Sequence, residues 1–230
     1  MSMLRVGIAM LQGARHEHAE AVVNAAHQLE LNVEIVPLRT PHDLMDGIDA
    51  LILPGGESTT MRITSRHYAL LDEIFTYIHE HPNKPVLGTC AGAILLAAPP
   101  EPHTRCIDVE LTRNTWGRQR ESFEAVVDVN LDIESFEFEG SYRPVKIGSY
   151  TPLMMEQQAA PTLNEGFPGV FIRAPRFCEI SEPCRSIAML ENEVVGVQQN
   201  NIVALTFHPE LTKDRRFHRW LLTQANVGGQ

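Results

Sequence analysis

Apolar runs of four to six residues alternate with longer stretches of helical period through the first half of the chain. Val6 to Leu11 predicts a first strand, Val33 to Leu38 a second, and Ala50 to Leu53 a short third that ends at Pro54-Gly55-Gly56. Between the first two, Glu17 to Leu29 places Ala, Val and Leu on one face, which predicts a helix. A second helix is expected from about Thr59 to Ile78, followed by the run Pro85-Val86-Leu87 and the helix-prone Ala93-Ile94-Leu95-Leu96-Ala97. Strand, helix and strand joined by crossovers of this length imply an α/β fold with a doubly wound, mostly parallel sheet. The second half changes character. Short β-like pieces at Ile107 to Leu111, Ser122 to Val129, Gly169 to Arg173, Ser186 to Leu190, Val194 to Gln198 and Ile202 to Phe207 suggest antiparallel hairpins added to the sheet edge, with turns at 191–193 and 200–201. A closing helix is expected over about Lys213 to Ala225.

Composition narrows the picture. At 230 residues and 43% hydrophobic content the chain can bury a substantial core, and no linker, repeat or low-complexity run divides it, so one domain over 1–230 is expected. A formal charge of −10 argues against nucleic acid or an anionic membrane as the main partner, since binding either depends on clustered Lys and Arg. The start lacks the apolar core of a signal peptide and no stretch approaches the roughly 18 apolar residues of a membrane span, which reads as cytoplasmic. Cys90, Cys106, Cys178 and Cys184 show no paired spacing, so free thiols are expected.

The chemistry centres on Gly88-Thr89-Cys90-Ala91-Gly92, where a thiol stands at a strand-to-helix turn. Such an elbow exposes the sulfur at the strand's carboxyl end, and small neighbours permit the tight backbone path. Core packing of a small cysteine is the competing reading. Ligands on wound sheets bind beyond the carboxyl ends of the strands, which puts Cys90 and the Gly55-Gly56 turn on one edge. A cysteine nucleophile needs a base and the base an orienting acid. His208 closes a strand-like run and is separated from Glu210 by one proline, which distinguishes it from the nine other histidines. His16 and His18 flank Glu17, but a spacing of two puts them on different helix faces, so they read as solvated rather than as a metal pair. His218 reads as lying on a polar stretch, and no three residues show a credible metal spacing. In Pro54-Gly55-Gly56-Glu57-Ser58-Thr59-Thr60 the glycines let successive N–H groups converge, as an oxyanion requires; phosphate binding is disfavoured by Glu57, and a plain turn capped by Ser58 or Thr59 is the alternative.

Six segments, in order, carry a resemblance. They are Leu11-Gln12-Gly13, residues 54–62, residues 88–92, Arg113-Asn114-Thr115-Trp116-Gly117-Arg118-Gln119, Phe171-Ile172-Arg173-Ala174-Pro175 and Phe207-His208-Pro209-Glu210-Leu211-Thr212. The chain resembles the class I glutamine amidotransferases, flavodoxin-like proteins with a Cys-His-Glu triad, and within them the glutaminase subunits of pyridoxal 5′-phosphate synthase. That resemblance implies hydrolysis of L-glutamine through a thioester, with Cys90 as nucleophile, His208 as proton carrier and Glu210 orienting the imidazole. It implies an oxyanion hole from the N–H groups of Gly56 and Ala91, and glutamine contacts at Gly56, Glu57, Ser58, Arg113, Ile172 and Arg173. It further implies delivery of ammonia to a (β/α)₈ synthase subunit, with neither cofactor nor metal. Gln12 sits on the same sheet edge and is a natural coupling point to that partner. Residues at about 133–166 read as an insert, with Phe136, Phe138, Tyr142 and Tyr150 among acidic residues, forming either an extra hairpin or a contact surface. A cysteine hydrolase acting on peptides or γ-glutamyl compounds, and a catalytically silent regulatory subunit, remain the alternatives.

Overall fold

The computed structural model describes residues 3–112, 122–133 and 166–228. The inserted stretch expected at about 133–166 and the substrate contact expected at Arg113 therefore fall almost wholly outside the described residues.

In chain order, β1 (Leu4–Ala9) leads to α1 (Arg15–Gln28), β2 (Val33–Leu38) and β3 (Ala50–Leu53). Next come α2 (Ser58–Ser65), α3 (Leu70–Glu80), β4 (Val86–Thr89) and α4 (Ala91–Ala97). Then follow β5 (Val109–Thr112), β6 (Ser122–Val129), β7 (Phe167–Ile172), β8 (Arg176–Ile180), β9 (Arg185–Leu190), β10 (Glu193–Gln199), β11 (Ile202–Leu205) and α5 (Arg216–Val227). Nine strands form one sheet in the order β2-β1-β3-β4-β11-β10-β9-β6-β7. The half from β2 to β11 is parallel, and the half from β11 to β7 is antiparallel.

Strands β1, β3 and β4 are buried almost throughout and carry near-continuous apolar runs, as strands covered on both faces must. One face is covered by α1 and α5, through Val22, Ala25, Trp220, Leu221 and Leu222. The opposite face is covered by α3 and α4, through Leu70, Ile74, Phe75, Leu95 and Leu96. The doubly wound expectation is met.

Three local features differ from the sequence reading. The helix expected from Thr59 to Ile78 is two helices, because the Ser65 hydroxyl accepts the Leu71 N–H at 2.7 Å and Ala69 turns left-handed at φ 53°. This break lets Leu70, Leu71, Ile74, Phe75 and Ile78 face the core independently of α2. Strand β8 was not anticipated, since its short run is half exposed and lacks clean alternation. It pairs with β5 in a separate two-stranded antiparallel ribbon, so this pair stands apart from the main sheet while β6, β7 and β9 extend it. The last parallel strand ends at Leu205, and Thr206-Phe207 leads out of the sheet toward the site.

Phe207 anchors that exit. Its ring lies 5.4 Å from Phe167, 5.5 Å from Phe171 and 5.7 Å from Phe217, centroid to centroid, and Phe123 stacks on Phe171 at 4.7 Å. Rings at these separations interact favourably beyond simple burial. The chain segment that follows Phe207 is thereby fixed to the boundary between the parallel and antiparallel halves.

Candidate active site

At the carboxyl end of β4 the chain turns into α4 within one residue. Cys90 takes φ 47° and ψ −101°, outside the regions that side chains ordinarily allow, and is held there because its N–H donates to Leu205 O on the neighbouring strand at 2.8 Å. Strained backbone of this kind persists only where its surroundings over-determine it, and it concentrates at functional positions. The sulfur is 5% exposed with its parent residue and lies 3.8 Å from Ile172 O at the end of β7. Ala91 begins α4, so its N–H has no intrahelical acceptor.

His208 arrives from the other side of the same strand pair. Its N–H donates to Val170 O at 2.8 Å, and Pro209 starts a short 3-10 turn, Pro209–Leu211, that carries Glu210 back beneath the ring. The imidazole Nδ1 sits 2.7 Å from Glu210 Oε1, which leaves the other ring nitrogen for Cys90, with which His208 shares the cavity wall. Both His208 and Glu210 are buried. Burial by itself would pull the His208 pKa down; the Glu210 carboxylate and the hydrogen bonds with Cys90 and Glu210 outweigh it and raise the value to about 10. Burial likewise works to raise Glu210, but His18, His208 and the hydrogen bond from His208 hold it below the usual carboxylate range. The imidazole therefore keeps its proton at neutral pH while Glu210 stays anionic.

Gly55 explains how these parts close on one another. A side chain there would meet the His208 ring at 2.4 Å and Cys90 Cβ at 3.3 Å, so only a bare backbone fits between base and nucleophile. The loop after β1 approaches as closely: a Cβ on Gly13, whose φ is 88°, would lie 1.7 Å from Gly55 O.

A cavity of about 300 Å³ opens over the sulfur. Of the residues expected from sequence, Gln12, Gly56, Glu57, Ser58, Cys90, Ile172, Arg173 and His208 all line it, and Glu210 lies behind His208. Thr59, Ile94 and Pro175 also line it among the described residues and were given no substrate role from the sequence. The volume is at the small end for ligand sites and is enough for one amino acid. Glu57, rather than Ser58 or Thr59, caps α2. Its carboxylate accepts from Thr59 N at 3.0 Å, Thr60 N at 2.6 Å and Thr60 Oγ1 at 2.7 Å, and these bonds lower its pKa to about 2. Gln12 Oε1 accepts the Glu57 N–H at 2.8 Å and so ties the first loop to the Gly55-Gly56 turn.

The expectation that His18 is solvated is wrong, and His218 does not lie on a polar face: both are fully buried. His18 Nε2 stands 3.3 Å from Glu210 Oε2 and 3.0 Å from Thr89 Oγ1, and its Nδ1 is 3.0 Å from His218 Nε2. The sequence did hold the signal. His18 shares a helix face with Val22 and Ala25, and His218 with Leu221, Leu222 and Ala225, all buried, at helical spacings. Weighing each histidine against its apolar stripe, instead of His16 against His18, places both inside. No helix among the described residues is long and apolar enough to cross a membrane.

Comparison with known proteins places this geometry in context. A model of the SNO glutamine amidotransferase family matches residues 8–144 and 154–227. "Pyridoxal 5′-phosphate synthase subunit PdxT" of Pyrococcus horikoshii is 39% identical over 229 residues, covering 96% of this chain and all of that protein. The protein of the same name from Thermococcus onnurineus is 40% identical over 230 residues, covering 97% of this chain and all of its own length. A crystal structure described as a glutamine amidotransferase aligns with a TM-score of 0.69 at 35% identity, covering 96% of this chain and 99% of the other. With the family match spanning nearly the whole chain and the relatives aligned end to end, this chain belongs to the SNO glutamine amidotransferase family.

Proposed function

We propose that this chain hydrolyses L-glutamine to L-glutamate and ammonia, and that the ammonia is passed to the synthase subunit of a pyridoxal 5′-phosphate synthase. The observation that carries the reading is the convergence of Cys90 and His208 on one cavity, with Glu210 hydrogen-bonded behind the imidazole at 2.7 Å. Family membership, and relatives named as subunits of that synthase, support the same substrate and the same partner.

The chemistry follows from the placement. With the thiol's proton carried on His208, Cys90 Sγ attacks the carboxamide carbon, and the carbonyl oxygen becomes an oxyanion received by the N–H groups of Gly56 and Ala91. When the tetrahedral adduct collapses, the C–N bond breaks and His208 gives its proton to the departing ammonia. The product on the enzyme is a γ-glutamyl thioester. Water then attacks the thioester carbon, His208 takes a proton from it, and the C–S bond breaks to release glutamate and restore the sulfur with its proton again on His208. Glu210 holds the imidazole in the tautomer that presents its second nitrogen to sulfur. Glu57, Ser58, Ile172 and Arg173 surround the substrate's amino-acid end; a carboxylate and a guanidinium are what an α-ammonium and an α-carboxylate require. Arg113 is assigned the same task by resemblance alone.

Gln12 is the proposed coupling point to the partner, of (β/α)₈ architecture by the same resemblance. It bonds directly to Glu57 N–H, so movement of the first loop on docking reaches the residue next to Gly56. Gln12→Ala should reduce the synthase-stimulated rate of glutamine hydrolysis; an unchanged stimulated rate would remove Gln12 from the coupling.

Cys90→Ala tests the core of the reading. Ammonia formation should fall by at least about 10³-fold, the scale seen when a covalent nucleophile is deleted, while sedimentation with the cognate synthase subunit is unchanged. Turnover near wild type in the Cys90→Ala chain would refute the assignment.

A further inference from the structure

Behind the site lies a buried polar cluster that the steps above do not use. It joins α1, through His18 and Glu20, to Thr89 at the end of β4, to Glu210, and to Arg215 and His218 around the start of α5. His18 and His218 have no exposed surface. Two imidazoles are an expensive filling for a space that apolar side chains could occupy, because each buried polar atom must find a partner or lose its hydration without return.

The pattern of satisfied and unsatisfied atoms fixes where the protons sit. His218 Nδ1 is buried and has no hydrogen-bond partner. An orphaned donor costs more than an orphaned acceptor, so the His218 proton belongs on Nε2. From there it donates to His18 Nδ1 at 3.0 Å, which obliges His18 to carry its own proton on Nε2. That N–H is directed at Thr89 Oγ1 at 3.0 Å, and the nitrogen that carries it stands 3.3 Å from Glu210 Oε2. Glu210 Oε2 is buried and makes no hydrogen bond of good geometry, and among the described residues the donor standing at ion-pair distance from it is His18. One nitrogen thus touches the residue preceding the nucleophile and the carboxylate that orients the base.

We propose that His18 is a positioning residue, whose Nε2–H, oriented by His218 and steadied by Thr89, holds Glu210 through its second oxygen and thereby sets the orientation of His208 toward Cys90. This rests on the glutaminase reading above and adds a member that acts through Glu210 without touching substrate. The groups that face His18 are Glu210 and His208 from the turn after β11, His218 and Arg215 from the α5 region, Thr89 from β4, and Glu20 through its pairing with Arg215. Burial pulls His18 below its ordinary pKa against the opposing pull of Glu210, with His208 and Arg215 acting in the same direction as burial; burial, His18 and Arg215 lower His218. Both rings are neutral at working pH. His18 therefore supplies a fixed N–H dipole rather than a charge, which favours the anionic form of Glu210 without competing with His208 for it.

The test compares wild type, His18→Phe and His18→Gln, each in complex with the cognate synthase subunit, over a pH series of glutamine hydrolysis. Phenylalanine keeps the shape and removes the donor; glutamine restores an N–H. For His18→Phe, kcat should fall about 10- to 100-fold, the range found when a residue that orients a working group is lost, while KM for glutamine stays within about twofold because no cavity residue is altered. The acid limb of kcat/KM should move to higher pH, since Glu210 loses a neighbouring N–H dipole that favours its ionised form. His18→Gln should recover most of kcat and return the limb toward its wild-type position. Equal losses in both variants with an unmoved acid limb, or wild-type kinetics in a folded His18→Phe, would overturn the proposal. Should His18→Phe fail to fold, nitrogen-15 NMR of wild type decides: His18 is expected as the Nε2–H tautomer, not titrating between about pH 6 and 9, and an Nδ1–H tautomer would overturn it. Absence of glutamine hydrolysis in wild type, or its persistence in Cys90→Ala, would instead defeat the glutaminase reading itself.

Discussion

At Cys90 the backbone is strained at φ 47°, and at His208 a proton is retained far above its ordinary range; both states exist because their neighbours hold them. The second has a consequence for stability. The His208 pKa is raised from 6.5 to about 10 on folding, so its contribution is complete below about pH 6.5 and declines as pH rises toward 10. Glu210 is ionised in folded and unfolded chains across that window and does not contribute to the slope. The stability difference between wild type and Glu210→Gln, measured by urea denaturation, should therefore shrink as pH rises through this window, and a difference independent of pH would contradict the assignment. Cys90, His208 and Glu210 were legible in the sequence because a strand-end elbow and a His-Pro-Glu turn are local signatures. The roles of His18 and Thr89 were not read, although periodicity marked His18 as inward, because they arise from contacts between residues 71 and 192 positions apart in the chain, between α1, the end of β4 and the turn after β11.

The elements that matter most to the site are those that end at it. Strand β11 pairs with β4 in parallel register, Leu205 opposite Thr89, so Cys90 and the segment that leads to His208 leave the sheet side by side. Phe207 fixes that departure by burial among Phe167, Phe171 and Phe217. Phe207→Ala should destabilise the fold by about 3–5 kcal/mol and lower kcat through displacement of His208; a loss of stability below about 1 kcal/mol, in thermal or urea unfolding, would show that the cluster does not anchor the segment. The parallel strands were read within about two residues because their apolar runs are uninterrupted. The single long helix was not, because the hydroxyl of Ser65 intercepts an N–H that helical propensity assigns to the helix. Strand β8 was missed for a related reason: in a two-stranded ribbon exposed on one face, pairing with β5 and not periodicity defines the strand.

For the whole molecule, the order of strands decides where chemistry can occur. The parallel half ends at the β4–β11 pair, and the antiparallel half begins there, so Cys90, His208, the Gly55-Gly56 turn and Ile172 from β7 reach one rim from both halves. Sequence pattern conveyed the wound parallel half and the antiparallel additions, but not the pairing of β9 with β6 that brings β7 round to the sulfur; such long-range pairing leaves no local trace. The first loop, through Gly13 against Gly55 and Gln12 against Glu57, is the route by which an outside surface connects to this rim. A subunit built this way should work best when its partner holds that loop. The most direct test is the rate of glutamate formation from free L-glutamine by the purified chain, alone and with its cognate synthase subunit. The account predicts turnover that rises on adding the synthase. No glutamine hydrolysis by the complex, under conditions where both subunits are folded and associated, would contradict it.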